Sequence, residues 1–186
     1  MRLDRSPGAA YLKARGITLD APLSLRWHRG LKHTATGLTL PAMVAGVQGA
    51  DRALVAIHRT FLAVDSTKKA FVSPAKMALG ALGDGAVRLA AAGEVLGIAE
   101  GIETALSAMQ LHGISCWASL GCERLGKISL PPVVRKVVLF CDRGAEAQVD
   151  RALAAYEDQG LGVEIRYPDP PAKDWNDVLQ ARSAAA

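Results

Sequence analysis

Acidic residues placed at the ends of apolar runs are the part of this sequence best suited to chemistry. The apolar run Val95 to Ala99 stops at Glu100, Gly101 follows, and a helical pattern begins. The segment VRKVVLFCD ends at Asp142, and AKDWNDVL carries Asp174 and Asp177. Three separate segments thus deliver carboxylates where a parallel sheet exposes its carboxyl edge, the place where open α/β domains bind ligands. A set of this kind suits Mg²⁺, a hard cation that takes one or two carboxylates and keeps several waters. Gly101 lets a phosphate come close to the backbone, and its peptide opens a helix whose dipole favours anions. Such an edge is how an α/β domain builds a site for a divalent metal and a phosphate, where the ion neutralises charge on phosphoryl oxygens.

Holding such residues together requires strands that alternate with helices, and the sequence has that rhythm from Val95 onward. VLGIAE reads as a strand and IETALSAMQLHG as a helix closed by Gly113. ISCWASLG is a second strand, CERLGKI a short helix, and VRKVVLFCD a third strand. GAEAQVDRALAAYEDQG is a helix ended by Gly160, GVEIRYPD a fourth strand, and KDWNDVLQARS a last helix capped by Asp174 or a neighbour. Residues 91–186 are therefore expected to form a parallel sheet covered by helices on both faces.

Residues 1–90 have a different texture. AAYLKARGI predicts a short helix, with Gly16 near its end. SLRWHRG and TGLTLPAMVAGV predict short strands and turns. ALVAIHRTFLAV alternates, with Leu54, Ala56, His58, Thr60 and Leu62 on one side. Asp65-Ser66 is a turn signal, and KKAFVS predicts another strand. ALGALGDGAVRLAAAGE joins the halves and adds an edge strand around Ala86 to Leu89. This half reads as a small α+β subdomain. The terminal SAAA is expected to be disordered.

Half of the 186 residues are apolar, enough for a real core. No apolar run is long enough to span a bilayer and no signal peptide is visible, so a cytoplasmic protein is expected. Cys116, Cys122 and Cys141 have no paired short spacing, which fits a reducing compartment. The net charge of +4 hides a split. Residues 1–90 hold 13 Lys and Arg against 5 Asp and Glu, whereas residues 91–186 hold 9 against 13. Either a basic face for a polyanion stands beside an acidic cation site, or two solvated surfaces differ in sign.

The series EGIETA, VVLFCDRGAEA and AKDWNDVL resembles the Toprim domain shared by bacterial-type primases, topoisomerases and some nucleases. The final Lys-Asp-x-Asn-Asp is similar to that of primase-like proteins of plasmids and phages. RWHRG, LPAMVAGV, AIHRTFL and KKAF resemble the segment that precedes Toprim in them. The resemblance implies a Rossmann-like Toprim sheet after a small basic α+β subdomain. It implies a primase catalytic core that makes primers for mobile-element DNA replication, with Mg²⁺ or Mn²⁺ as cofactor. Single-stranded DNA and nucleoside triphosphates are the implied partners, with a replicative helicase as a further candidate. Glu100 and Asp142 would be catalytic and hold metal with Asp174 and Asp177; Glu100 is alternatively a general acid or base. Gly101 and Lys173 would meet phosphate. One position departs from the pattern: the family's Asp-x-Asp is Asp142-Arg143-Gly144 here. Glu146 lies nearby in sequence, about half a turn round the next helix. The loss favours one alternative to the primase reading, a non-catalytic Toprim accessory protein that binds DNA; another alternative is a metal-dependent nuclease that uses the same carboxylates. No Cys/His quartet with zinc-ligand spacing is present, so no zinc is expected.

Each candidate also has a plainer role. Asp174 can be a helix cap, and Glu103 a first-turn charge. Trp175 is expected to pack rather than stack on bases. Lys173 can pair with a carboxylate instead of a phosphate. Arg26, Arg29, His58, Arg59, Lys68, Lys69 and Lys76 are candidates for nucleic-acid contact, or else form an exposed basic edge that discourages strand pairing. Trp27 is either a stacking surface or core. His112 is expected to be a solvated or C-terminal helix cation, and Cys141 a small buried hydrophobe.

Overall fold

A computed structural model describes residues 1–64 and 67–184. The turn expected at Asp65-Ser66 lies outside the described residues, as do Ala185 and Ala186.

The first helix, α1 (Pro7–Ala14), starts where Ser6 accepts a hydrogen bond from the Gly8 N–H and Pro7 takes the first helical position. Four antiparallel strands follow in the order β1 (Leu25–Lys32), β2 (Thr39–Gln48), β3 (Leu54–Phe61) and β4 (Lys76–Gly80). The strand expected at KKAFVS is displaced to β4. Pro74 has no N–H to give to a ladder, and the Ala70 amide is already spent on the Phe61 carbonyl, so pairing resumes only at Thr60 opposite Lys76.

The second sheet has the order β5-β7-β6-β8-β9. Its parallel strands are β6 (Val95–Ala99), β7 (Cys116–Ala118), β8 (Lys136–Phe140) and β9 (Gly162–Arg166). The short β5 (Val87–Arg88) runs antiparallel to β7 at the edge. Helix α2 (Ile102–His112) follows β6 and ends at Gly113, whose φ of 67° suits glycine. A 3₁₀ turn (Cys122–Lys127) follows β7, α3 (Glu146–Glu157) follows β8, and α4 (Trp175–Ala184) follows β9. Ser183 and Ala184, expected to be disordered, complete α4.

β6 and β8 are apolar almost throughout because both faces are covered. On one face Leu96, Ile98, Val137 and Leu139 meet Val149, Ala152 and Tyr156 of α3. Gly126 of the 3₁₀ turn leaves room for α3: a Cβ there would fall 2.7 Å from the Ala152 Cα. On the other face α2 and α4 pack in one core with Tyr11, Leu12, Trp27, Met43 and Val47 of the first half. Residues 102–108 of α2 are all buried, since this helix lies between the two sheets. Arg124 adds polar stitching by donating to the carbonyls of Ser119, Gly83 and Gly85. Among the described residues no helix is long and apolar enough to cross a membrane.

Candidate active site

The register of the parallel sheet decides where the carboxylates emerge. β6 and β8 are neighbours with Ala99 opposite Phe140, so Glu100 and Asp142 leave the sheet at the same edge. The Glu100 carbonyl accepts from the Leu120 N–H at 2.8 Å and more weakly from Gly121, which holds the β7 loop against it. Asp174 arrives at the N-cap of α4, where its Oδ1 accepts from the Asp177 N–H at 2.8 Å.

Asp142 is half-buried, and its Oδ1 is buried without a hydrogen-bond partner. Burial pushes its carboxyl up, and the neighbouring Glu100 and Asp174 push it further, to about 7; Lys76 and the Thr104 hydroxyl pull the other way. Asp177 takes no part in this. Its carboxylate accepts from the Lys173 N–H at 3.0 Å and so closes the α4 cap. The Lys173 side chain is exposed.

Arg143 does not intrude on the carboxylates. Its guanidinium donates twice to the Pro168 carbonyl and its amide to the Lys173 carbonyl, tying the β8 loop to the loop before α4. Gly144 has φ 91°, a backbone that strongly favours glycine over the aspartate of the family pattern. Glu146 accepts from the Gly144 N–H at 3.0 Å and is exposed, so it serves its own loop.

Facing Glu100 across a cavity of about 260 Å³ are His58 and Lys76, with Gly101, Leu120 and Gly121 completing the walls. A Cβ added to Gly101 would meet nothing closer than 3.6 Å, so no protein contact demands a glycine there. A larger cavity, about 610 Å³, is lined by residues such as Leu23, Val44, Leu54 and Arg88; no acidic residue lines it, and we place no chemistry there.

The basic candidates divide. Arg26, Arg29 and Lys68 are exposed. Arg59 is buried, donates to the Ala78 carbonyl and lies over the Phe61 ring, which leaves little of it for a phosphate. His58 is 8% exposed, and burial together with Lys76 pushes it down to about 4, so it is neutral at pH 7. Lys69 and Lys76 both pair with Glu103. Trp27 is core, and Trp175 packs on Phe140 and His112. His112 is not the expected helix cation: burial, then Arg166 and Arg182, lower its pKa, and its Nδ1 faces the Arg166 guanidinium.

Residues 95–185 match the Toprim domain family. This half of the chain is a Toprim domain. Residues 1–89, ahead of the Toprim domain, match a domain of unknown function, DUF7146. No curated protein matches the chain. Among solved structures, the zinc-binding and RNA polymerase domains of Aquifex aeolicus primase superpose with a TM-score of 0.62 at 15% identity, over 97% of this chain and 54% of that one. The primase fragment of the bacteriophage T7 primase-helicase gives 0.55 at 16%, over 77% and 59%. A DnaG primase catalytic domain bound to single-stranded DNA gives 0.56 at 13%, over 96% and 72%. The chain thus spans little more than half the length of the first two. At these identities the likeness establishes a primase-type Toprim fold.

The Toprim edge fits a divalent ion held by few ligands. Among the described residues no group of three or more His, Cys, Asp or Glu side chains is placed to hold a metal ion. The unpartnered Asp142 oxygen, raised by two nearby carboxylates, is nevertheless the environment that a cation with its own waters neutralises. Sequence reasoning missed three participants. Leu120 has φ 66°, unusual for leucine, and nothing local in the sequence announces it. Thr104 carries no charge, and nothing in the sequence ties it to Asp142. Glu103, in sequence a first-turn charge, has partners Tyr11, Lys69 and Lys76 that are distant along the chain.

Proposed function

We propose that this chain is the catalytic core of a primase-type nucleotidyltransferase acting in mobile-element DNA replication. The observation that carries the reading is the raised carboxyl of Asp142 at the Toprim sheet edge, one oxygen of which has no partner, flanked by Glu100 and Asp174. Glu100 and Asp142 would hold Mg²⁺ or Mn²⁺, and Asp174 would assist through its charge beside Asp142. The bound ion supplies neutralisation of the charge that builds on phosphoryl oxygens. Lys76 and the first peptides of α2 face the phosphates of a nucleoside triphosphate from the other side of the cavity. A primer 3′-hydroxyl attacks the α-phosphate and pyrophosphate leaves. Exposed Arg26, Arg29 and Lys68 give single-stranded DNA, the ligand of the DnaG domain cited above, a basic surface. A replicative helicase is a further partner in this reading.

A second reading, a non-catalytic DNA-binding Toprim module, is favoured by one observation. Gly144, at φ 91°, offers no carboxylate where the family pattern has one. Incubation of the chain with labelled nucleotides and single-stranded DNA, in Mg²⁺ and in Mn²⁺, separates the readings. Extended products that vanish in Glu100→Gln support the primase. Shortened DNA indicates a nuclease using the same carboxylates. DNA binding with neither product establishes the accessory module.

A further inference from the structure

A carboxylate outside the sheet-edge set is deeply engaged between the two halves. Glu103 sits one position into the first turn of α2 and is 5% exposed. Its Oε1 accepts from the Tyr11 hydroxyl at 2.7 Å and lies 3.2 Å from the Lys69 Nζ; its Oε2 lies 3.0 Å from the Lys76 Nζ. The partners come from α1, from the segment after β3 and from β4, so one carboxylate gathers three elements of the basic half onto a Toprim helix. Burial alone would raise the Glu103 pKa, yet Lys76 and Lys69, helped by Tyr11, hold it far below the usual carboxylate range. Lys76 gains in return. Burial works against its charge, but Glu103 outweighs it and keeps the ammonium protonated.

Lys76 is therefore tethered, yet its side chain remains 38% exposed and lines the cavity shared with Glu100 and Gly101. Its Nζ is 3.8 Å from where a Cβ on Gly101 would stand, directly over the start of α2. The same cavity holds His58, more than nine-tenths buried, with an Nδ1 that has no partner. An ammonium, a helix N-terminus and the His58 side chain thus line one space beside Glu100. A free lysine on a surface strand samples many rotamers, and holding it still removes an entropic cost from binding.

We propose that Glu103 is a positioning residue: from inside the interface between the two halves it holds the Lys76 ammonium in the cavity beside Glu100, where Lys76 contacts the phosphates of the bound nucleotide. This rests on the nucleotide-transfer reading and adds to it how the basic half is coupled to the Toprim edge. Glu103 acts through Lys76, so the two side chains behave as one unit.

The test is a double-mutant cycle read by calorimetric titration with ATP and Mg²⁺ on the full chain, with thermal unfolding of each variant as a check on folding. Lys76→Gln and Glu103→Gln are each expected to weaken ATP binding about tenfold or more, and the double variant to bind no more weakly than Lys76→Gln alone. Additive losses, or unchanged affinity in Lys76→Gln, overturn the proposal. Should Glu103→Gln not fold, Glu103→Asp keeps the charge and shortens the reach: reduced ATP affinity supports positioning, and wild-type affinity refutes it. A wild-type chain that binds no ATP overturns the nucleotide reading itself, and this proposal with it.

Discussion

Two carboxylates beside the same Toprim sheet, one buried and one half-buried, have opposite fates. Glu103, between the two halves, has a hydroxyl and two ammonium groups as partners and is held far below the usual carboxylate range. Asp142, at the sheet edge, has an oxygen with no partner and two carboxylates for neighbours, and is pushed up to about 7. Burial raises both, and the shifts end up opposite because the charges around each differ in sign. A satisfied buried charge is part of the architecture. An unsatisfied one, kept beside like charges, is a place where the fold accepts instability for a ligand that arrives later.

The sharpest way to break that contrast is to remove the satisfied member. Glu103→Ala strands Lys69, Lys76 and the Tyr11 hydroxyl, and is expected to lower unfolding stability by about 3–5 kcal/mol in urea denaturation. The unsatisfied member should respond in the other direction. Asp142→Asn is expected to stabilise the metal-free chain by about 2 kcal/mol at pH 8, allowing for the solvent that reaches a half-buried group. The sign follows from linkage. A carboxyl whose folded pKa is raised imposes no penalty while both states are protonated; the penalty grows above its ordinary pKa and is complete above about 7. The gain from Asp142→Asn should therefore be larger at pH 8 than at pH 5. Millimolar Mg²⁺ should raise the melting temperature of the wild type at pH 8 but not that of Asp142→Asn.

A finer test separates the two acids of the last motif. Asp174→Ala and Asp177→Ala each disturb the α4 cap and should cost about 1 kcal/mol. Only Asp174→Ala should lower the Asp142 pKa, read by carbon-13 NMR titration of the carboxyl groups, because only Asp174 acts on it. Equal shifts in both variants would dissolve the distinction drawn between cap and site.

The Toprim rhythm was legible because β6, β7 and β8 are short apolar runs with a glycine within a few residues of their ends. Val95–Ala99 with Glu100-Gly101, and Lys136–Phe140 ahead of Asp142, appear in the structure where the pattern placed them. The first half was less legible. β4 begins at Lys76 rather than at Lys68 because pairing depends on which amides β3 leaves available, and that is a property of the neighbouring strand. Asp177 and Asp174 look interchangeable in sequence; helix geometry assigns the one to the cap of the other. Arg143 looks like an intruding cation until the Pro168 carbonyl is seen to take it.

By itself the sequence determined the alternation of strands and helices, the acids at the strand ends and the surplus of positive charge in residues 1–90. These are local properties, written in periods of two and 3.6 residues and in residue type. Tertiary structure alone decided that Glu103 is the hub between the halves, that His58 is neutral, and that Asp142 is raised by Glu100 and Asp174. Coulomb interactions and desolvation depend on distances through space, and residues 11, 69, 76 and 103 become neighbours only once the two sheets close over α2.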